Sequence, residues 1–124
     1  MPPVGCPAAR STCPIANTLD LIGDRWTLLV IRDLLFFGRH RFGELLASPE
    51  GIPTNLLTDR LRRLEECGVV VKIPYPSRPQ RYEYHLTPKG KDLAPILRAM
   101  VEWAQRHVPG VSTEPPPGFR LPPS

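Results

Sequence analysis

The sequence of 124 residues has few lysines, few cysteines and no long apolar run. Its longest apolar stretches, Leu28–Ile31 and Leu34–Phe37, fall far short of the roughly 20 residues that span a bilayer, so we expect no membrane segment. The first residues contain no basic stretch followed by an apolar one, which argues against a secretory signal. The sequence therefore favours a cytoplasmic protein.

Cysteine occurs only three times, as Cys6, Cys13 and Cys67. The number is odd and no two cysteines are close, so we expect neither a disulfide framework nor a zinc site. Cys67 follows Leu64 by three positions and is expected in the core. Cys6, in a proline-rich end, is either a resolving partner for another thiol or without a role. Any cysteine chemistry would then be regulatory.

The residue groupings that mark most enzymes are absent. The three histidines, His40, His85 and His107, are widely spaced, and no carboxylate pair is placed for acid–base work. There is no glycine-rich phosphate loop and no cluster of metal ligands. The sequence therefore indicates a protein that is not an enzyme and holds neither a cofactor nor a metal.

Proline is concentrated at the two ends of the chain. Ten of the 17 prolines lie within residues 1–14 and 109–124, which leaves seven for the centre. Such segments contain too few apolar side chains to fold on their own. We therefore expect a flexible tail over 1–12, one folded domain over 13–107 and a disordered tail over 108–124.

The basic residues are unequal in kind and in position. There are three lysines against 13 arginines, and residues 38–91 carry ten basic against six acidic side chains. Arginine recognises phosphates and base edges better than lysine does. The surplus indicates a nucleic-acid partner, although a compositional bias of the genome would also produce it.

Apolar residues repeat at helical spacing in the first half of the chain. The repeat from Ile15 to Leu34 is interrupted at Gly23, so we expect helices over about 14–22 and 25–36, with Asp24 as an N-cap. A short helix is predicted over 41–46, then a turn at 48–51, then a helix from 53 or 54 to 66, ended by Gly68. A short helix, a tight turn and a longer basic helix form a helix-turn-helix candidate.

The second half predicts a hairpin and a final helix. Residues 69–73 are rich in valine and residues 82–86 alternate in polarity, which indicates two strands. The loop between them contains three prolines and two arginines, as in a DNA-binding wing. A last helix should begin at Pro88 and run to about 107 with a kink at Pro95. The predicted class is mainly α with a small β-hairpin, a winged helix-turn-helix.

The helix over 54–66 has a polar face that could enter a DNA groove. Three leucines face inward, so the outward positions are Asn55, Thr58, Asp59 and Arg62, with Arg63 at the edge. Because Asn pairs with adenine and Arg with guanine, Asn55, Thr58 and Arg62 are the predicted base readers. Asp59 would repel a phosphate. Taken alone, the helix also fits a solvated amphipathic surface.

Other cations could reach the DNA backbone. Arg78 and Arg81 on the loop are predicted to contact phosphate or the minor groove, and Arg41 and Lys89 are weaker candidates for phosphate contacts. The alternative for the loop arginines is a role in solubility alone. Arg60 points partly inward on the helical wheel and is expected to be structural.

Short segments spread over residues 13–105 match a known pattern. They are Cys13-Pro14, Gly23-Asp24-Arg25-Trp26, Arg41-Phe42-Gly43-Glu44-Leu45, residues 51–68, Pro79-Gln80-Arg81-Tyr82-Glu83-Tyr84, Leu86-Thr87-Pro88-Lys89-Gly90 and Trp103. In this order and spacing they closely resemble the HxlR-type regulators of transcription, whose winged helix is MarR-like. The resemblance implies a dimeric bacterial protein that binds operator DNA.

The resemblance also implies that the first and last helices build the dimer. This agrees with the apolar stripe that the last helix leaves uncovered. The interface residues so implied are Ile15, Leu19, Leu93, Leu97, Met100 and Trp103. Pro53 departs from the Ser or Thr that opens the recognition helix in many members, so Thr54 is expected to cap it, and the contact of Thr54 with DNA is in question.

Cys13 matches the position at which several members of the family sense oxidants, quinones or aldehydes. It precedes a helix whose exposed amide groups favour a thiolate. A partly buried structural cysteine is the alternative that stays open.

Two hypotheses follow. The first is a dimeric repressor that sets two recognition helices into successive major grooves, about 34 to 36 Å apart, and is released by modification of Cys13 or by a small ligand. The second is a winged-helix module that binds another protein, with an incidental basic face.

Overall fold

A computed structural model describes residues 6, 9 and 11–112 of the chain. The tails predicted over 1–12 and 108–124 lie mostly outside these residues. The described elements, in chain order, are α1 (Pro14–Ile22), α2 (Thr27–Phe36), α3 (Phe42–Leu46), α4 (Thr54–Glu66), β1 (Val70–Tyr75), β2 (Arg81–Leu86), α5 (Pro88–Lys91) and α6 (Ala94–His107). None of these helices is long and apolar enough to cross a membrane.

The core lies where α2, α3 and α4 meet the base of the hairpin. It consists of fully buried side chains from each of these elements, including Ile31, Leu45, Leu57, Leu64 and Val70. The turn before α4 passes through Gly51, whose φ of 72° is a conformation that glycine adopts without a steric penalty. The predicted helix-turn-helix and wing are both confirmed.

The hairpin is longer than predicted and is attached to the rest of the fold. Its antiparallel register runs from Val70 opposite Leu86 to Tyr75 opposite Arg81. Arg81 therefore begins β2 and does not lie at the loop tip. The amide N–H of Tyr84 donates to the carbonyl oxygen of His40 at 2.7 Å. This bond fixes the wing against the segment that leads into α3.

The last helix is divided in two. We predicted one helix with a kink at Pro95, but α5 ends at Lys91 and α6 begins at Ala94. Proline lacks an amide hydrogen and clashes with the carbonyl four residues before it, so it is tolerated only in a first turn. The chain accordingly ends one helix and starts another with Pro95 in its first turn.

The structure contains a disulfide, although the sequence predicted no disulfide framework. Cys67 is in the core as predicted, with 2% of its surface exposed, but it is bonded to Cys6. The two residues are 61 positions apart in the sequence. Only the tertiary fold brings them together, so spacing rules for neighbouring cysteines did not apply.

Asp24 joins the α1–α2 junction to α4. Its carboxylate accepts from the amides of Trp26 and Thr27 at 3.0 and 3.1 Å, from the Thr27 hydroxyl, and from Arg60 Nε at 2.8 Å. The predicted position of the N-cap is wrong, because α2 begins at Thr27 and its N-cap is Trp26. Asp24 instead accepts from the amides of the turn that leads into α2. Arg60 is structural, as expected. Burial opposes ionisation, but the hydrogen bonds from Thr27 and Arg60 outweigh it and lower the pKa of Asp24 to about 2.

This ion pair predicts an acid-dependent loss of stability. A carboxyl whose folded pKa is below its unfolded value stabilises the fold above pH 3.8, and that contribution is lost as the pH falls towards 2. Asp24→Asn is expected to cost about 1 to 2 kcal/mol at neutral pH and to flatten the pH dependence in this window. Urea unfolding across pH measures both. The exposed Asp92→Asn is the control, and an equal response of the two variants would contradict the assignment.

Candidate nucleic-acid interface

The outward face of α4 presents the predicted base readers. Asn55, Thr58 and Arg62 are exposed in its first nine positions, as is Thr54. Thr54 does not cap the helix: the N-cap is Pro53, and no side chain makes a capping bond there. Thr54 is the first helical residue, and its carbonyl accepts from the Thr58 hydroxyl at 3.0 Å. The polar face predicted from the helical wheel is therefore present.

The acidic residue on this face is balanced by its neighbours. Asp59 pairs with Arg60 on one side and with Arg62 Nη2, at 2.7 Å, on the other. The Arg62 side chain is 68% exposed, and an exposed pair of this kind costs only about 0 to 1 kcal/mol to break. Arg62 is thus free to exchange a carboxylate for a base edge.

Two cations predicted to contact DNA are used inside the fold. Arg63 is half-buried and its Nη2 donates to the carbonyl oxygen of Asp20 in α1 at 2.8 Å, and its contact with DNA stays a prediction. Lys89 Nζ donates to the carbonyl oxygen of Cys67 at 2.7 Å, at the C-terminal end of α4. Both bonds are to carbonyl oxygens at the C-terminal ends of helices.

A cleft of about 570 Å³ lies between α3 and the wing. It brings together two of the predicted phosphate contacts, Arg41 and Arg81, which are distant in sequence. Its lining residues are Arg41, Phe42, Gly43, Glu44, Lys72, Tyr75, Arg81, Tyr82 and Tyr84. Three cations and three tyrosines in one cleft suit a sugar–phosphate backbone, because the cations attract phosphate and the phenol rings cover the sugars.

Cations stack on two of these rings. The Arg41 guanidinium carbon lies 4.6 Å from the centre of the Tyr75 ring, and Lys72 Nζ lies 4.2 Å from that of Tyr82. Sequence reasoning did not single out Lys72, Tyr75 or Tyr82 as functional residues. Strand alternation could have identified Lys72. It lies opposite Tyr84 in the antiparallel register, so the two side chains share one face of the hairpin.

The cleft continues onto the recognition helix. A shallow depression of about 160 Å³ has Thr58 and Arg62 in its lining together with Lys72, Tyr84 and Phe42. The last three also line the cleft. Four of the predicted residues therefore line two adjoining depressions: Arg41, Thr58, Arg62 and Arg81. Arg78 is exposed on the wing loop, and its contact with DNA stays a prediction.

Histidines and an ion pair hold the base of the wing. The His40 and His85 rings are stacked with centres 4.2 Å apart, and Glu83 accepts from His85 Nε2 at 3.2 Å and pairs with Arg41 Nε at 3.5 Å. The hydrogen bond from His85, and then that from Arg41, lower the pKa of Glu83. Arg41 is thereby oriented at the mouth of the cleft while 54% of its side chain stays exposed.

An apolar groove of about 560 Å³ lies between α1 and α6. Four predicted interface residues are exposed there or beside it: Ile15 at 72%, Leu19 at 56%, Met100 at 51% and Trp103 at 57%. Leu97 is only 7% exposed and belongs to the core, so its prediction as an interface residue is wrong. Leu93 is half-buried and packs against the same core.

Cys13 is exposed and has a free thiol. It is the N-cap of α1, where its Sγ accepts from the amide of Ala16 at 3.5 Å. The alternative of a partly buried cysteine is not what the structure shows. A thiolate at this place would face the positive end of the helix.

A helix-turn-helix followed by a basic hairpin defines the winged helix-turn-helix class of proteins. The HxlR-like helix-turn-helix family model matches residues 21–112, and the chain belongs to this family. The resemblance seen in the sequence is thereby confirmed.

Individual relatives agree in sequence and in fold. The HTH-type transcriptional regulator Rv3095 of Mycobacterium tuberculosis is 43% identical over 95 residues, which are 77% of this chain and 59% of the relative. The crystal structure of PA1607 is 38% identical, with a TM-score of 0.74 over 86% of this chain and 80% of that one. The oxidised redox regulator HypR is 36% identical, with a TM-score of 0.66, over 77% and 97% of the two chains.

The chain spans about three fifths of the length of Rv3095. The names of these relatives are those of regulators and not of enzymes, which agrees with the expectation from the sequence.

Proposed function

We propose that this chain is a sequence-specific DNA-binding regulator of transcription that acts as a dimer in the cytoplasm. The observation that carries the proposal is the continuity of the α4 face with the cleft at the wing, through Phe42, Lys72 and Tyr84. A groove-sized helix and a cationic cleft on one surface fit a duplex, because α4 can read base edges while the cleft holds the backbone.

The apolar groove supports dimerisation. Large exposed apolar side chains on α1 and α6 lie together, and such patches mark protein interfaces. In a twofold dimer the same patch serves both subunits. Two recognition helices then lie one helical turn apart on DNA, about 34 to 36 Å. A dimer seated on promoter DNA excludes the polymerase, so we propose repression as its effect.

Cys13 is the proposed signal receiver. Its thiol is exposed at the start of α1, the helix that also lines the apolar groove. A charged or bulky adduct there would disturb the packing of α1 across the dimer. The relative HypR is named a redox regulator, which supports an oxidant or electrophile as the signal. A small-molecule ligand is the second proposed inducer.

Fluorescence anisotropy with the DNA upstream of the coding sequence tests the proposal. If a dimer neutralises about eight phosphates, the affinity should fall by about 10³ to 10⁵ between about 50 and 200 mM salt. Scrambled DNA of equal length should bind more weakly by at least about 10³. After diamide treatment the protein should lose binding, and Cys13→Ser should retain it.

Two outcomes would count against the proposal. If the protein binds neither DNA at low salt, the basic face is incidental and a protein partner becomes the better hypothesis. If both DNAs bind equally, the surface holds phosphates without reading bases. Retention of binding by the diamide-treated protein would contradict only the role of Cys13.

A further inference from the structure

The disulfide between Cys6 and Cys67 joins the N-terminal segment to the end of the recognition helix. The two Cα atoms are 4.9 Å apart, within the range of about 4.4 to 6.8 Å that a disulfide requires. Cys67 is the C-cap of α4 and 2% exposed, whereas Cys6 is half-buried against the core. The two sulfurs therefore differ in access to solvent.

The position of Cys67 does not depend on the bond to Cys6. Its amide donates to the carbonyl oxygen of Arg63 at 3.0 Å, and its carbonyl accepts from Lys89 Nζ at 2.7 Å. Cys67 is therefore held at the end of α4 whether or not the disulfide is formed. Cys6 precedes α1 and lies outside every helix and strand. Opening the bond therefore removes neither of the backbone contacts that hold Cys67.

We propose that Cys6 and Cys67 form a reversible thiol–disulfide couple within one chain, separate from Cys13, which responds to low-molecular-weight disulfides. The more accessible Cys6 thiolate attacks one sulfur of the small disulfide and expels one thiolate. The Cys67 thiolate then attacks the Cys6 sulfur, forms the bond seen here and expels the second thiolate. Two electrons pass from the cysteines to the small disulfide, and the two cysteine protons reach the expelled thiolates through solvent.

A disulfide is unusual in the compartment where a DNA-binding regulator acts. Where DNA is transcribed, glutathione and thioredoxin keep thiols reduced, and a disulfide there is transient or redox-sensing. This step alone rests on the proposed function. The couple also leaves Cys13 as the one free thiol among the described cysteines, so oxidation of Cys6 and Cys67 removes both as partners for Cys13.

The couple lies away from the base-reading end of α4. Cys67 follows Thr58 by nine positions, about 14 Å along a helix at 1.5 Å per residue. Because both ends of Cys67 are held without the bond, closing it should leave the affinity for DNA unchanged within about twofold. Its effect should appear in the stability of the fold and in the reach of the N-terminal segment.

Thiol counting on the full chain tests the proposal without DNA. The protein is reduced, treated with oxidised glutathione, and labelled with an alkylating agent in denaturant. Mass spectrometry should find a peptide that joins Cys6 to Cys67, with Cys13 either labelled or joined to glutathione. Cys13→Ser should fall from two labelled thiols to none. Cys6→Ser should form no internal bond, and it should fold because it changes only the accessible partner.

A second measurement connects the bond to the fold. Oxidation should raise the melting temperature of the unsubstituted protein by at least about 5 °C and leave that of Cys6→Ser unchanged. Three labelled thiols after excess oxidised glutathione would overturn the proposal, as would a peptide that joins Cys13 to Cys6 or to Cys67. A failure here leaves the DNA titration untouched, so the two proposals fail separately.

Discussion

Replacing Arg62 by alanine is expected to lower the affinity for the specific site by about 5- to 150-fold, the value of one bidentate base contact. Arg62 is 68% exposed on α4 and pairs with Asp59 at 2.7 Å, so the fold should lose less than about 0.5 kcal/mol. Asn55→Ala should lower the affinity by a similar factor. Anisotropy with the upstream DNA measures both, and urea unfolding verifies the stability.

Matched variants separate the reading of bases from general attraction to DNA. Arg106→Ala removes the same charge from the exposed end of α6 and should have little effect. Arg78→Ala on the wing loop should weaken specific and scrambled DNA alike and reduce the salt slope by about one. If Arg62→Ala weakens both DNAs equally, Arg62 contacts phosphate only. If it weakens neither, α4 is not the recognition helix.

A glutamate in the apolar groove is expected to separate the subunits. Leu19 is 56% exposed and lines the groove with Ile15, Ile96 and Met100. A buried carboxylate without a partner is strongly unfavourable, so Leu19→Glu should be a monomer by light scattering. Linked half-sites gain about 10² to 10⁴ in avidity, and the monomer should lose affinity for a full operator by a factor in that range.

The control variant introduces the same negative charge at an exposed apolar residue outside the groove. Val111→Glu puts a carboxylate at an exposed apolar residue, 39% exposed and outside the groove, and should remain dimeric. Circular dichroism of Leu19→Glu should retain the helical signal, because the side chain is outside the core. A dimeric Leu19→Glu protein would show that another face joins the subunits.

Local patterns account for what the sequence predicted correctly. The polar face of α4 follows from the spacing of its leucines, and the hairpin follows from alternating residues between proline-rich turns. The bonds from the carboxylate of Asp24 to the amides two and three residues ahead are also local, although the N-cap of α2 is Trp26. These features depend on residues that are close in the sequence, so they can be predicted from the sequence alone.

The sequence predictions missed burial and contacts that depend on residues distant in the sequence. On one apolar stripe of α6, Leu97 is in the core and Met100 is exposed, because the rest of the fold covers only one side of the helix. Arg63 and Arg62 are adjacent in the sequence, yet Arg63 bonds α1 because the carbonyl of Asp20 lies beside it. A helical wheel shows only the residues of one helix, so it could not show what packs against Leu97 or that the carbonyl of Asp20 lies beside Arg63.

The sequence by itself determined the family, the helix-turn-helix, the wing and the basic face, since each rests on short-range periodicity and on motifs in a fixed order. The Cys6–Cys67 bond, the grouping of Lys72 and Tyr75 with Arg41 in one cleft, and the burial of Leu97 could be seen only in the folded chain. These depend on which segments pack together, a property set by the free energy of the whole fold and not by the spacing of residues along the chain.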